Sequence, residues 1–220
     1  MKIFIDTGHI KDIEALVPLG IIDGITTNPS LLAKEQGDYR ENLKKICDIV
    51  QGPVSAEVTE LVWDAMVRQG RDLAAIDKHI VVKVPLTRDG IRACKTLAEE
   101  GVRVNVTLFF SATQALLAAK VGATYISPFV GRLDDISTHG MELIRDIVEI
   151  YENYDFHTEV LVASVRNPMH VVEAARLGAD ICTCPPAIID SLFNHPLTDS
   201  GLKKFLADWD KAYGAGAKNR

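Results

Sequence analysis

The sequence lacks the features that would place the chain in a membrane or on a nucleic acid. No apolar run in its 220 residues approaches the roughly 18 residues of a membrane span. Lys and Arg number 24 against 30 Asp and Glu, and a net charge of −6 argues against a general binder of nucleic acids or anionic membranes. Residues 1–10 resemble a strand start and not a signal peptide, because they have no sustained apolar segment. We therefore expect a cytoplasmic protein with no nucleic-acid or membrane partner.

Cysteine is also scarce. Cys47 and Cys94 fall in helical patterns, and Cys182 and Cys184 fall in a strand-like run whose alternation we expect to point them to opposite faces. No pair has a partner His at metal-ligand spacing, so the sequence predicts reduced packing thiols and no metal. The composition is 47% hydrophobic and 25% charged, as in ordinary soluble enzymes, and the length predicts one domain over residues 1–220.

Strand-like and helix-like segments alternate along the whole chain. Short apolar runs predict eight strands, at 2–6, 21–26, 53–58, 79–84, 102–108, 123–128, 159–164 and 179–184. Near-continuous apolar strands separated by helices indicate a parallel sheet covered on its faces, and eight such units close into an α/β (β/α)8 TIM barrel. An open doubly wound sheet is the alternative. It is disfavoured because the segment after the first strand has a single glycine where that fold usually has a glycine-rich phosphate loop.

Several helix boundaries can be predicted as well. Ser111 with Gln114 has capping-box spacing, and Asn167 before Pro168 gives an N-cap followed by a first-turn proline. An amphipathic stretch at 201–213 is surplus to the eight units. We expect it to form a C-terminal helix that caps the barrel or packs on a neighbouring subunit, with a frayed end at 214–220.

Polar residues stand at the predicted C-terminal ends of the strands, where barrels of this kind carry their chemistry. They are Asp6, Asn28, Glu57, Lys83, Thr107, Ser127, which is followed closely by the aromatic Phe129, and Ser164. Each has a structural alternative. Asp6 alone could cap the turn at residues 7–8, Asn28 could be the N-cap before Pro29, and Thr107 and Ser164 could bond backbone groups.

Lys83 is the strongest of these candidates. It stands between Val82 and Val84, and strand alternation turns its side chain opposite to theirs, into the barrel. Burial disfavours the charged ammonium, and a neutral amine can attack a carbonyl to form a Schiff base. Glu57, one strand earlier, is the natural carboxyl partner for proton transfer. The structural alternative is a lysine that pairs with Asp6 or Glu57 and does nothing else.

Five blocks of the sequence resemble one family. The blocks are "GITTNPSLL" (24–32), "VVKVPLT" (81–87), "NVTLFF" (105–110), "SPFVGRLDD" (127–135) and "VLVASVRNP" (160–168), and they are similar to the small transaldolases, which share a branch with the fructose-6-phosphate aldolases. The resemblance implies a Schiff-base enzyme with no metal or organic cofactor, which moves a dihydroxyacetone unit between sugar phosphates. It also implies a homo-oligomer, a pentamer or a decamer, in which the C-terminal helix reaches a neighbouring subunit.

The resemblance also implies roles for individual residues. Lys83 matches the Schiff-base lysine, Asp6 the acid at carbon–carbon cleavage, and Thr107 with Glu57 the pair that positions the catalytic water. The implied substrate-binding residues are Asn28, Thr27, Phe129, Arg132, Ser164 and Arg166, of which Arg132 and Ser164 would contact phosphate. For Arg132 the alternative is a surface ion pair with Asp134 or Asp135. We expect His139 to be a solvated loop residue and not a substrate contact.

Two positions separate the branches of this family. The aldolase branch carries glutamine where this chain has Glu57 and tyrosine where it has Phe129, and both differences favour transfer over free aldol cleavage. We therefore expect a transaldolase of the pentose phosphate pathway, which converts sedoheptulose 7-phosphate and glyceraldehyde 3-phosphate to erythrose 4-phosphate and fructose 6-phosphate. The alternatives are a fructose-6-phosphate aldolase, a deoxyribose-phosphate aldolase on the same barrel, and a sugar-phosphate-binding protein without catalysis.

Overall fold

A closed barrel of eight parallel strands forms the centre of the protein. The computed structural model describes residues 1–214, and its strands are β1 Lys2–Asp6, β2 Gly24–Thr26, β3 Val54–Glu57, β4 Ile80–Pro85, β5 Val104–Phe109, β6 Tyr125–Pro128, β7 Glu159–Val162 and β8 Ile181–Cys184. Each strand pairs with the next in sequence, and β8 pairs with β1 from Lys2 against Ile181 to Ile5 against Cys184. This closure confirms the predicted TIM barrel, with every strand inside or within one residue of its predicted run.

Helices cover the outside of the barrel. They are α1 Ile10–Leu16, α2 Pro29–Leu32, α3 Tyr39–Val50, α4 Trp63–Ala74, α5 Arg88–Glu99, α6 Ala112–Lys120, α7 Val130–Asp134, α8 Gly140–Asn153, α9 Pro168–Leu177, α10 Pro186–Ser191 and α11 Pro196–Tyr213, with a 3-10 turn at Val17–Leu19. The predicted caps are confirmed: Ser111 accepts from the Gln114 amide and Asn167 from the His170 amide. These side-chain bonds satisfy backbone donors that a helix start leaves unpaired.

Two separate apolar layers hold the barrel together. The larger lies between strands and helices, where α8 buries Ile144, Ile147 and Tyr151 against the sheet. The smaller fills the barrel interior and consists of Phe4, Val81, Tyr125, Leu161, Ala163 and Ile181. The rings of Phe4 and Tyr125 meet edge to face across it, with centroids 6.3 Å apart. Because these residues alternate along their strands with the outer layer, the next inward positions carry the polar groups of the site.

Cys182 and Cys184 do not point to opposite faces. Their sulfur atoms lie 3.7 Å apart in the outer layer, so that prediction is wrong. Residues two apart on a strand share a face, and the alternation that turns Lys83 inward turns both of these thiols outward. All four cysteines are buried and reduced. Burial raises the pKa of the Cys94 thiol to about 12, which favours the inert thiol form.

The C-terminal helix is longer than predicted. It begins at Pro196, five residues before the expected start, because the His195 side chain accepts from the Leu197 amide and Pro196 occupies the first turn. None of its residues is buried. The predicted frayed end lies outside the described residues from position 215 onward. Within residues 1–214, no helix has both the length and the apolar character to cross a membrane.

Candidate active site

A polar cavity of about 200 Å³ opens at the C-terminal end of the barrel. It contains seven of the ten predicted site residues, namely Asp6, Asn28, Lys83, Phe129, Arg132, Ser164 and Arg166. Parallel strands bring their carboxyl ends to one rim, so residues that are far apart in sequence meet there. The other three predicted residues, Glu57, Thr107 and Thr27, are not on the cavity wall and are described separately below.

The amine of Lys83 lies at the floor of this cavity. Its side chain is only 6% exposed, and Nζ lies 3.0 Å from Glu57 Oε2 and 3.2 Å from the carbonyl oxygen of Thr27, to which it donates. Glu57 is directly opposite Lys83 in the β3–β4 register and is 12% exposed. The predicted inward orientation of Lys83 is therefore observed, and its carboxyl partner is Glu57 and not Asp6.

Asp6 occupies the same cavity with a different set of partners. Its Oδ1 accepts from the Thr26 hydroxyl at 2.8 Å, and the Thr26 oxygen lies 2.7 Å from that of Thr183. Since the single hydroxyl hydrogen of Thr26 is used in the bond to Asp6, the Thr183 hydroxyl donates to Thr26. Burial raises the pKa of Asp6 above its ordinary value, and the Thr26 hydrogen bond and the charge of Lys83 offset only part of that rise. A carboxyl so placed is suited to take and return a proton.

Thr107 lies behind the site, at an irregularity in β5. Its hydroxyl is buried and has no hydrogen-bond partner among the described residues. The β5–β6 register shifts between Thr107 and Phe109, and Leu108 between them has a φ of 58°, in the left-handed region. A bulge of this kind re-aims the neighbouring side chains and is frequent beside active sites. The hydroxyl is thus free to bond a ligand or a solvent molecule.

Thr27 contributes to the site through its backbone carbonyl, and Asn28 contributes through its side-chain amide. Asn28 is the N-cap of α2, because its Oδ1 accepts from the Leu31 amide at 3.0 Å, so the structural alternative holds for that oxygen. Its NH2 group remains as a donor on the cavity wall. The Thr27 hydroxyl donates to the Ser55 carbonyl at 2.7 Å, and it is the Thr27 carbonyl that reaches Lys83. A substrate contact of the Thr27 side chain stays a prediction.

Two arginines stand at the mouth of the cavity. The guanidinium carbon of Arg132 lies 4.9 Å from the centre of the Phe129 ring, a cation–π contact that orients it. Among the described residues, the surface ion pair with Asp135 that was the alternative for Arg132 is formed instead by Arg166, which bonds Asp135 at 2.9 Å. Two planar guanidinium groups at one end of a cavity are suited to a phosphate.

Ser164 lies between the arginines in a strained conformation. Its φ of 62° is left-handed, and its carbonyl oxygen accepts from the Gly131 amide at 3.1 Å. A Cβ at Gly131 would lie 2.1 Å from that oxygen and 2.6 Å from the Arg166 side chain. Only glycine at position 131 allows the two loops to pack this closely, so Ser164 is held at the cavity wall by its surroundings.

Comparison with known proteins agrees with this geometry. Residues 3–216 match the family model described as Transaldolase/Fructose-6-phosphate aldolase. The chain is 56% identical to a protein named "Probable transaldolase" from Kosmotoga olearia, over 96% of this chain and 97% of that one. Identity reaches 60% with a protein of the same name from an Anaeromyxobacter species (strain K), again over 96% of this chain and 97% of the relative. The chain belongs to the transaldolase/fructose-6-phosphate aldolase family. It is an enzyme of the aldolase type.

A more distant solved structure shares only the fold with this family member. Thiamine phosphate pyrophosphorylase from Pyrococcus furiosus superposes with a TM-score of 0.58 at 17% identity, covering 84% of this chain and 85% of that one. A likeness at that level of identity concerns the barrel and says nothing of the chemistry.

Thr26 and Thr183 are site residues of this family member that sequence reasoning missed. Alternation from the inward positions Gly24 on β2 and Ile181 on β8 places both side chains inside the barrel. The contact between their hydroxyls, however, depends on the closure of the barrel, in which β8 pairs with β1. His139 is exposed and lies in a different cavity, with Asp134 and His170. Within residues 1–214, no group of three or more His, Cys, Asp or Glu side chains is arranged to hold a metal ion.

Proposed function

We propose that the protein is a transaldolase that transfers a dihydroxyacetone unit between sugar phosphates through a Schiff base on Lys83. The reaction would convert sedoheptulose 7-phosphate and glyceraldehyde 3-phosphate to erythrose 4-phosphate and fructose 6-phosphate, a step of the pentose phosphate pathway. The observation that carries the proposal is the buried amine of Lys83, 3.0 Å from Glu57 and within the cavity that also contains Asp6.

The first step is imine formation. Lys83 passes a proton to Glu57, and the nitrogen lone pair attacks the ketose carbonyl to form the C–N bond. The carbonyl oxygen then takes up protons and leaves as water, so that a protonated imine remains on Lys83. The contact between Lys83 and Glu57 supports this path, because proton transfer needs donor and acceptor within about 2.6–3.2 Å. The Thr107 hydroxyl would hold the departing water together with Glu57.

The second step breaks and remakes a carbon–carbon bond. Asp6 takes the proton of the hydroxyl next to the scissile bond, an aldehyde leaves, and the bonding electrons pass into an enamine on Lys83. An acceptor aldehyde enters, the enamine carbon attacks it, and Asp6 returns the proton to the new hydroxyl. The raised pKa of Asp6 supports both directions of this transfer, because an acid–base group works best when its pKa approaches the working pH. Water addition at the imine then releases the product ketose.

The phosphate of each substrate would bind at the cavity mouth. Arg132 and Arg166 supply positive charge on a chain whose net charge is −6, and Ser164 presents a hydroxyl between them. Asn28 would donate its NH2 group to the ketose. This arrangement gives one binding end for both donor and acceptor, since all four sugars of the reaction carry a terminal phosphate.

Transfer is preferred to free aldol cleavage because of Glu57 and Phe129. The Phe129 ring lies on the cavity wall without a hydroxyl that could protonate the enamine carbon, so the intermediate would persist until an aldehyde arrives. A fructose-6-phosphate aldolase that releases free dihydroxyacetone is the alternative, and the family to which the chain belongs includes both activities by name.

Self-association is part of the proposal. Helix α11 exposes Phe205 at 70% and Trp209 at 46%, and an apolar face of this kind is typical of an interface. We assign it to a neighbouring subunit in a pentamer or decamer. The cavity is lined by residues between Asp6 and Pro185 of one chain, so the helix would build the assembly and not the site.

The deciding experiment measures glyceraldehyde 3-phosphate release from fructose 6-phosphate, with and without erythrose 4-phosphate. A transaldolase releases it only when the acceptor is present, and forms sedoheptulose 7-phosphate in equal amount. Equal release without the acceptor, matched by free dihydroxyacetone, would make the protein an aldolase. If fructose 6-phosphate binds but no imine can be reduced on Lys83, the protein is a binding protein and the proposal is wrong.

A further inference from the structure

A buried histidine lies beside the phosphate end of the site but outside its cavity. His170, in the first turn of α9, is 8% exposed. Its Nδ1 accepts from the backbone amide of Arg166 at 3.3 Å, and its Nε2 lies 3.0 Å from Asp134 Oδ2. One imidazole therefore joins the loop that carries Ser164 and Arg166 to the helix that carries Arg132.

These bonds determine the tautomer of His170. Because Nδ1 accepts a hydrogen bond from the Arg166 amide, the ring hydrogen is on Nε2, which donates to the Asp134 carboxylate. The other oxygen of Asp134 accepts from the Gly140 amide at 2.9 Å, at the start of α8. The result is a continuous chain of hydrogen bonds from Gly140 through Asp134 and His170 to Arg166.

This chain of hydrogen bonds joins the end of α7 to the loop that carries Ser164 and Arg166. Asp134 ends α7, two residues after Arg132, and Arg166 is two residues after the left-handed Ser164. The bond from Gly131 to the Ser164 carbonyl fixes the loop on the cavity side. The His170 bond fixes the same loop at the Arg166 amide, in addition to the ion pair between the Arg166 side chain and Asp135.

We propose that His170, acting with Asp134, is a positioning residue that sets the spacing between Arg132 and the Ser164–Arg166 loop and thereby the affinity for a substrate phosphate. This rests on the proposed function only in naming sugar phosphates as the ligands. His170 does not touch the substrate, so its loss should weaken phosphate binding and leave imine formation on Lys83 unchanged.

The test compares His170→Ala with the wild type in three measurements. They are the KM and kcat for fructose 6-phosphate with erythrose 4-phosphate as acceptor, the Kd of inorganic phosphate by calorimetry, and the rate at which borohydride traps dihydroxyacetone, which has no phosphate, on Lys83. We expect the KM and the phosphate Kd to rise together, by up to about 100-fold, since misplacement by about 1 Å can cost that much. The rate of trapping should not change.

Matched variants separate positioning from packing. His170→Asn places an amide oxygen near the position of Nδ1 and should recover part of the phosphate affinity, whereas His170→Leu fills the same space without an acceptor for the Arg166 amide and should not. Equal recovery in Asn and Leu would mean that His170 acts by packing and would overturn the inference. His139→Ala removes an imidazole from the cavity that His139 shares with Asp134 and His170, and it should change none of the three values. If His170→Ala does not fold, Asp134→Asn provides the second test, because its one oxygen can still accept from the Gly140 amide while an NH2 group, which cannot accept, replaces the oxygen facing His170.

The outcomes distinguish this inference from the proposed function. An unchanged phosphate Kd in a folded His170→Ala variant overturns the inference, as does an equal loss in phosphate binding and dihydroxyacetone trapping. If the wild type traps no dihydroxyacetone and does not turn over fructose 6-phosphate in the presence of erythrose 4-phosphate, the proposed function fails. The phosphate Kd values of wild type, Ala, Asn and Leu still decide the role of His170.

Discussion

Lys83 and Glu57 form a buried ion pair across neighbouring strands, with Nζ and Oε2 3.0 Å apart. Such a pair has little net effect on stability, because the cost of taking two charges out of water offsets their attraction. In the proposed reaction its value is chemical. A protonated imine on Lys83 would carry the same positive charge as the ammonium, so Glu57 would stabilise the intermediate as it stabilises the resting lysine. The neutral amine needed for attack would arise by moving one proton across this contact.

Replacing the amine should remove covalent chemistry while keeping the charge. Lys83→Arg retains a cation opposite Glu57 and should fold, but a guanidinium cannot form an imine, so we expect no adduct and no turnover. The measurement is the mass increase of the protein after borohydride reduction with fructose 6-phosphate, alongside the activity assay. Lys120→Arg, an exposed change at the end of α6, is the control and should behave as wild type. Retained turnover in Lys83→Arg would falsify the assignment of the nucleophile.

The fate of the enamine should depend on residues 57 and 129. The pair Glu57→Gln with Phe129→Tyr introduces a hydroxyl at the cavity wall, and we expect free dihydroxyacetone release from fructose 6-phosphate to rise by up to about 10²-fold, the lower end of general acid catalysis. The assay follows dihydroxyacetone without an acceptor.

A matched control places the same hydroxyl outside the cavity. Phe110 contacts Phe129 edge to face, with ring centres 6.2 Å apart, and is 39% exposed. Glu57→Gln with Phe110→Tyr should therefore leave dihydroxyacetone release at the level of Glu57→Gln alone. If both double variants release the same amount, position 129 does not control protonation of the enamine.

Asp6→Asn should raise the free energy of unfolding at neutral pH and lower the activity. An unfolded aspartate titrates near 3.8, and burial raises the pKa of Asp6 in the folded chain. Between those two values the folded state holds a proton that the unfolded state has released, so the free energy of unfolding falls as pH rises through the window and stays lower above it. Asparagine cannot ionise and still accepts from Thr26. The variant should gain stability over wild type as pH rises from below 3.8 to neutral.

Activity of the same variant should fall by about 10²–10⁴-fold, because asparagine can neither take nor return a proton. Urea unfolding at a series of pH values measures the stability difference, and Asp190→Asn, an exposed change on α10, should show no such trend. A stability difference that shrinks with rising pH would mean that the pKa of Asp6 is lowered, and not raised, by folding.

The barrel and the inward orientation of Lys83 could be predicted because both follow from a period of two. Strand alternation within this β-branched run is enough to predict that the Lys83 side chain points into the barrel. The partners of the charged groups could not be predicted in this way. Arg132 stacks on Phe129 and Arg166 pairs with Asp135, since the paths of two loops decide which charge meets which. The hydrogen bond between His170 and the Arg166 amide likewise depends on the path of the loop that precedes α9.

The apolar face of α11 should determine the size of the assembly. Leu202, Phe205, Leu206 and Trp209 recur at the spacing of one helix face, and all are exposed. The rings of Trp209 and Tyr213 are in contact, with centres 4.6 Å apart and planes tilted by 43°. Phe205→Glu with Trp209→Glu would put two charges into any interface formed there, and a buried unpaired charge is strongly unfavourable. We expect sedimentation equilibrium to give a smaller particle than the wild type.

Lys204→Glu is the control for this change, since it introduces the same side chain one residue away, on the opposite side of the helix, and should leave the mass unchanged. Because every residue that lines the cavity precedes α10, the dissociated variant should still trap dihydroxyacetone on Lys83. Wild-type mass in the Phe205→Glu, Trp209→Glu variant would mean that another surface holds the subunits together. A wild type that sediments as a single chain would remove the proposal of an oligomer altogether. Loss of trapping in a folded single chain would instead show that the assembly, through α11, holds the rim of the barrel in its active arrangement.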